Sequence, residues 1–322
     1  MTNPHDPRKN ESHFHFQRSL MKNLVTHAPD WRSLLYVPAH VPRFVDKAAT
    51  CGADALLLDL EDSVPADRKA LARDALAAAV PRLKAAGSDV LVRVNGSLQH
   101  LALDLRAAVA AGAGGVAIPK VLGASHLEAV DALLGELEDE HAIAHGATRV
   151  IAMIETPGAF EARARIARAS SRIAALMLGG GDFALHCESD ASADVLNVPK
   201  QLLVIAARAA GVLPLGLAGT PDSLDDLDAF ARMAQRSKAM GFAGATCIHP
   251  AQVPILNRAF APTDDEIQAA QTLVDAYDAA RADGLGALRV GGKMVDAPVV
   301  ERARRVLARR RAVMSRAQAA PR

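Results

Sequence analysis

From Trp31 onward the chain repeats one pattern, in which a short, continuously apolar run is followed by a longer Ala- and Arg-rich stretch with helical period. The runs are SLLYV at 33–37, ALLLD at 55–59, VLVRV at 90–94, GVAIP at 115–119, VIAMIE at 150–155, ALMLG at 175–179, LPLGLA at 213–218 and ATCIH at 245–249. Runs that do not alternate with polar residues read as strands covered on both faces, as in a parallel sheet. Eight of them, each followed by a helix candidate, predict an α/β protein with the (β/α)8 TIM-barrel fold over residues 31–260. The helix after the second run is predicted over 66–80, with Leu71, Ala75 and Leu76 on its apolar side and Pro81 ending or kinking it.

The ends of the chain depart from this pattern. Residues 1–30 are polar and aperiodic and read as a partly disordered N-terminal extension. In it His13 and His15 alternate with Phe14 and Phe16, which fits a terminal arm better than a metal site, because no partner ligand lies nearby in sequence. Past the eighth run, Thr263 followed by Glu266 forms a capping box that opens a new helix. A Gly-rich segment at 284–298 and a basic amphipathic helix follow. Residues 261–322 therefore form a C-terminal helical lid or appendage outside the barrel.

Composition narrows the function. Half of the 322 residues are hydrophobic, enough for a large core, and no apolar run is long enough to span a membrane. With 37 basic against 36 acidic residues and only 3% aromatics, the chain lacks the basic field and stacking rings of a nucleic-acid binder. Cys51, Cys187 and Cys247 are isolated from one another, so neither a disulfide framework nor a zinc site is indicated, and a reducing cytoplasm fits.

In a barrel the carboxyl ends of all strands point to one mouth, and the acids and bases collect there. The second run supplies Asp59, Glu61 and Asp62, the third Arg93 and Asn95, the fourth Lys120, the fifth Glu155, the sixth Asp182 and the eighth His249. Glu155 and Asp182, on adjacent strand ends, suit Mg²⁺, which takes one or two carboxylates and fills its shell with water and substrate oxygens. The alternative is that Glu155 caps the next helix and Asp182 ends the glycine turn of LGGGDF. Arg93, in a run of Val and Leu, needs an anion, either a substrate carboxylate or a structural partner such as Asp59 or Glu61. Crowding of Asp59, Glu61 and Asp62 raises at least one pKa unless a cation is near, making one of them a candidate base, while Asp62 equally suits a helix cap. Lys120 also offers a Schiff-base amine, although a metal pair already supplies an electrophile. His249 suits either a substrate contact or the packing of a barrel end.

As a set, the ordered motifs RSLLYVPAHVPRF, GADALLLDLEDSV, VRVNG, AIPKV, IETPGAF, LMLGGGDF, CIHPAQV and GGKMVDAP resemble the citrate lyase β-subunit-like branch of the HpcH/HpaI aldolase and citrate lyase family over about residues 31–310. The resemblance implies a TIM barrel, often a homotrimer, that uses Mg²⁺ (or Mn²⁺) to cleave a 3-hydroxyacyl thioester such as malyl-, citramalyl- or citryl-CoA to acetyl-CoA and an α-keto acid. It assigns Glu155 and Asp182 as metal ligands and Arg93 to the substrate carboxylate or thioester oxygen. Asp296 in GKMVD corresponds to the lid aspartate, which in malyl-CoA lyase relatives enters a neighbouring subunit's site. Arg43, Lys120 and the backbone at Ala39 surround the substrate or its coenzyme A. Two alternatives accompany this reading: a citryl-carrier-protein lyase subunit of a citrate lyase complex, and a non-catalytic thioester-binding barrel. The intact 261–322 segment favours free coenzyme A, and the Arg-rich end at 302–311 suits coenzyme A phosphates, a solvated helix face or a subunit contact. Three departures stand out: Ala39 where the family has glycine, Gly216 where it has aspartate, and no histidine after the acid of DLEDSV.

Overall fold

The computed structural model describes residues 29–192, 194–221 and 225–319, so the histidine pair at 13 and 15 lies outside the described residues. Eight parallel strands, β1 (Ser33–Pro38), β2 (Ala55–Asp59), β3 (Asp89–Arg93), β4 (Gly115–Ile118), β5 (Arg149–Ile154), β6 (Ile173–Leu178), β7 (Leu213–Leu215) and β8 (Ala245–Cys247), hydrogen-bond in the order β7-β6-β5-β4-β3-β2-β1-β8. The ring closes where Ala243 N donates to Pro214 O (2.9 Å) and Gly216 N to Gly244 O (3.0 Å). A Cβ on Gly244 would lie 2.1 Å from the Trp31 carbonyl oxygen, so this close approach of backbones requires glycine. The predicted TIM barrel is the observed fold, and every predicted strand is present within one or two residues, except that β7 and β8 stop earlier.

Side-chain alternation divides the apolar residues into two layers. Leu34, Leu57, Leu91, Ala117, Ile151, Met153, Ala175, Met177 and Leu215 pack together inside the barrel. Leu35, Leu56, Leu58, Val90, Val92, Ile154 and Leu176 instead join the layer beneath the helices. Asp59, Arg93 and Glu155 fall two residues beyond Leu57, Leu91 and Met153, so each continues the inward parity of its strand and emerges at the mouth.

The single helix predicted over 66–80 is a 3-10 turn at Ala66–Arg68 followed by helices Lys69–Asp74 and Leu76–Ala85. Pro81 lies inside the last of these rather than ending it. Proline cannot donate to Ala77 O, and the two helices meet at Ala75, which donates to Leu71 O (3.1 Å) and accepts from Ala79 N (3.1 Å). The break turns Leu71 out to solvent, 49% exposed, and leaves Ala72, Leu76, Ala79, Val80 and Leu83 as the buried face.

Beyond the barrel, Thr263 opens the helix Asp264–Ala282 with the predicted capping box: Glu266 N donates to Thr263 Oγ1 (3.1 Å) and Thr263 N to Glu266 Oε2 (2.8 Å). A hairpin of β9 (Leu288–Val290) and β10 (Lys293–Val295) and the helix Ala297–Ala319 follow, with Tyr277, Val295 and Val300 as a small core. The last helix crosses the amino-terminal end of the barrel. Arg309 pairs with Asp30 and donates to Ala243 O (3.0 Å), and Arg316 donates to Asp54 O (2.9 Å) and Asp89 Oδ2 (2.8 Å). Those partners precede or begin β8, β2 and β3. The segment read as a lid therefore lies opposite this chain's own mouth, and Arg309 is a barrel tether rather than a coenzyme A phosphate contact there.

Candidate active site at the barrel mouth

The mouth holds a cavity of about 360 Å³ whose walls include Tyr36, Asp59, Arg93, Glu155, Gly179–Asp182, Lys200, Thr220 and Thr246. Parallel register sets Asp59 directly across from Arg93 on β2 and β3. Arg93 Nε donates to Asp59 Oδ1 (2.7 Å) and Nη2 to Asp59 Oδ2 (2.6 Å), a two-pronged pair. Its Nη1 lies 2.9 Å from Glu61 Oε2 and 3.4 Å from Asp62 Oδ2, and its guanidinium covers the Tyr36 ring at 4.8 Å. The fork expected to hold a substrate carboxylate is thus occupied by Asp59: the structural alternative for Arg93 is the one realised. Burial favours the neutral form of Asp59, but the hydrogen bonds and charge of Arg93 outweigh it and hold the carboxyl below its usual pKa.

Glu61 lies between two cations, with Lys120 Nζ 2.8 Å from its Oε1. Burial nonetheless raises its pKa, against the pull of Arg93 and Lys120. Its buried Oε2 makes no hydrogen bond, although it stands in ion-pair range of Arg93. Asp62 is exposed and caps no helix. The turn after β2 is instead held by Asp59, which accepts from Glu61 N (3.0 Å) and Ser63 N (3.3 Å).

Glu155 is 2% exposed, and its Oε2 accepts from Lys120 N (2.7 Å), where Lys120 stands in the left-handed region (φ 51°). It caps nothing: Thr156 Oγ1 accepts from Ala159 N and starts the next helix. Burial pushes the Glu155 carboxyl up to about 7, helped by the charges of Glu61 and Asp182 and opposed by the Lys120 amide. Gly179 makes room for it, since a Cβ there would lie 2.5 Å from both Glu155 Cγ and Oε1. Asp182 does not end a turn. It lies in the first turn of the helix Gly180–His186 and faces the same cavity.

Among the described residues no group of three or more His, Cys, Asp or Glu is arranged to hold a metal ion. Two carboxylates facing one cavity, one buried and costly to ionise without a cation, are nevertheless a donor set that fits Mg²⁺, which binds through one or two carboxylates and keeps its remaining positions for water and substrate oxygens. Among the described residues no Cys or His side chain lines this cavity.

Other predicted residues lie elsewhere. Arg43 is exposed and stacks on Phe44, 4.9 Å to the ring centroid, away from the cavity. Asp296 does not line the cavity; its Oδ1 accepts from Val299 N (3.3 Å) at the start of the last helix. His249 is exposed and caps a 3-10 turn, Nδ1 accepting from Ala251 N (3.2 Å), and it does not line the cavity. Lys200 was missed by the sequence reading. The signal was a lysine on the apolar face of NVPKQLLVIAARAA, in step with Leu203, Val204 and Ala207.

An acid-lined mouth on a (β/α)8 barrel, with carboxylates suited to a divalent cation and flanked by Arg and Lys, defines the class. The family model of HpcH/HpaI aldolase/citrate lyase matches residues 32–250, and the chain belongs to that family. It is 32% identical over 279 residues to the citrate lyase subunit beta of Leuconostoc mesenteroides subsp. cremoris, covering 86% of this chain and 92% of that protein. It is 34% identical over 289 residues to a (3S)-malyl-CoA thioesterase of Cereibacter sphaeroides, covering 89% and 96%. In structure it resembles protein CitE from Mycobacterium tuberculosis in complex with magnesium, acetoacetate and coenzyme A, with a TM-score of 0.70 and 28% identity over 88% of this chain and 98% of that one.

Proposed function

We propose that the chain is a Mg²⁺-dependent carbon–carbon lyase that cleaves a 3-hydroxyacyl-CoA thioester to acetyl-CoA and an α-keto acid. The observation that carries this reading is the buried Glu155, held by the Lys120 amide at 2.7 Å, facing one cavity with Asp182. The magnesium and coenzyme A of the M. tuberculosis relative support the same pair of ligands here.

Glu155 and Asp182 would hold the cation, whose chemistry is to polarise the hydroxyl and carboxylate oxygens of the substrate. Glu61, whose pKa burial raises and which stands beside the cavity residues Asp59 and Arg93, is assigned the hydroxyl proton, received through a water. The carbon–carbon bond then breaks, its electron pair passing into the thioester as an enolate. Arg93, fixed by Asp59, places positive charge where the enolate oxygen develops, in surroundings too buried for water to screen it. Protonation of the enolate carbon falls to the partner subunit's Asp296, since Asp296 does not line the cavity of its own chain; a trimer or a dimer of trimers provides that partner. Arg43, exposed at the helix after β1, is left to the outer part of the coenzyme A. No helix among the described residues is long and apolar enough to cross a membrane.

A second reading, thioester hydrolysis, is favoured by the 34% identity to the malyl-CoA thioesterase. The citryl-carrier-protein reading draws on the citrate lyase subunit. One experiment separates them: purified protein with Mg²⁺ is mixed with malyl-, citramalyl- and citryl-CoA, and keto acid and free thiol are followed together. Keto acid without thiol supports the lyase. Thiol without keto acid supports hydrolysis, and neither product from any of the three removes the free coenzyme A reading.

A further inference from the structure

Among the described residues three cations stand at or beside the mouth, Arg93 and Lys200 in the cavity wall and Lys120 next to it, and two of them are committed. Arg93 is bound to Asp59, Glu61 and Asp62, and Lys120 to Glu61 and Asp62. The third, Lys200 on the helix Asn197–Ala210, is 3% exposed and lines the cavity from the β6–β7 side. Its Nζ donates to Gly219 O (2.8 Å) and Ala218 O (3.3 Å), both in the segment that follows β7. Among the described residues no carboxylate lies within ion-pair distance of it. An ammonium carries three hydrogens, and two carbonyls use two of them.

A buried charge satisfied only by neutral carbonyls is costly, and burial alone lowers the Lys200 pKa to about 8. The cost is recovered when an anion enters the cavity. The two carbonyls aim the ammonium and keep it from folding back to solvent, so it is already oriented for that anion.

We infer that Lys200 is a specificity-determining residue that receives a second carboxylate of the substrate, the one distal to the end held at Glu155 and Asp182, so that the pocket prefers a dicarboxylic keto acid to its monocarboxylic analogue. The inference rests on the lyase reading for the placement of the first carboxylate, and on the commitment of Arg93 and Lys120 for the second. Lysine makes a single charge-assisted contact there, where arginine would have made two.

The matched probes are oxaloacetate and 2-oxobutyrate, which differ only in a methyl group in place of the distal carboxylate. Binding of each, freshly dissolved, is measured by titration calorimetry on the full-length protein with Mg²⁺ present. Wild type is expected to bind oxaloacetate about 10- to 100-fold more tightly, the worth of one hydrogen bond to a charged group. Lys200→Met, which keeps the stem and removes the charge, is expected to bring the ratio close to one. Lys200→Arg is expected to keep most of it, which separates loss of charge from loss of fold. Equal binding of the two acids by wild type, or an unchanged ratio in Lys200→Met, overturns the role of Lys200 and leaves the lyase reading standing. Failure of wild type to bind either acid brings down both.

Discussion

Asp59 grips Arg93 through two parallel hydrogen bonds of 2.7 and 2.6 Å, and that pair sets the charge balance of the whole mouth. With 1% exposure on the acid and 12% on the base, neither partner is screened by water. Arg93→Met would strand Asp59 as a buried anion, leaving Glu61 to Lys120, and is expected to cost about 3–5 kcal/mol in urea unfolding. The double variant Asp59→Asn, Arg93→Met should lose less than the sum of its single variants. Additive losses would mean that the pair is not a unit.

Gly179 predicts the sharpest steric effect. Gly179→Ala forces a methyl to within 2.5 Å of Glu155 Cγ and Oε1, so the carboxylate must shift from the Lys120 amide that holds it. Displacement of its carboxylate should weaken Mg²⁺ binding at least 10-fold in calorimetry, and overpacking of this kind costs about 1–3 kcal/mol of stability. Gly181→Ala, with nothing within 4 Å of the added methyl, is the control that should change neither.

Glu155 sets opposite demands on stability and activity. Its pKa rises from the usual 4.5 to about 7 on folding, so ionising it opposes the fold: the group costs nothing below pH 4.5, its penalty grows as pH rises from 4.5 to 7, and it is constant above that. Without divalent cations, Glu155→Gln should match wild type at pH 4.5 and exceed it by about 3 kcal/mol at pH 8. The same variant should lose keto-acid release, and Mg²⁺ should raise the melting temperature of wild type but not of the variant.

The buried Glu138–Arg172 pair governs the acid limb. Burial raises the Glu138 carboxyl, but the Arg172 hydrogen bond (2.7 Å) and the Thr148 and Gly146 amides (2.7 Å each) outweigh it and take its pKa from 4.5 down to about 2. Its stabilisation is complete above pH 4.5 and is lost as pH falls through 2. Glu138→Gln should therefore cost about 3 kcal/mol at pH 7 and flatten the decline of stability between pH 4.5 and 2. An unchanged acid limb would remove Glu138 from that role.

What the sequence determined by itself is whatever depends on local period and order along the chain. Eight continuously apolar runs gave the barrel, because strands buried on both faces cannot afford polar residues, and acids placed just past those runs had to emerge at one mouth. Thr263 and Glu266 were legible because a capping box closes within one turn. The tertiary structure decided what depends on which strand lies beside which. The β2–β3 register set Asp59 across from Arg93 and filled two of its guanidinium positions, and a contact from the neighbouring strand end, Lys120 N, fixed Glu155 without any signal in its own motif. Packing against the amino-terminal end of the barrel placed the last helix opposite this chain's own mouth, a position that its local period does not signal. Lys200 shows the limit most plainly: on its helix it is one lysine among apolar residues, and only the closing of β6 and β7 around the cavity makes its uncompensated charge a feature of the site.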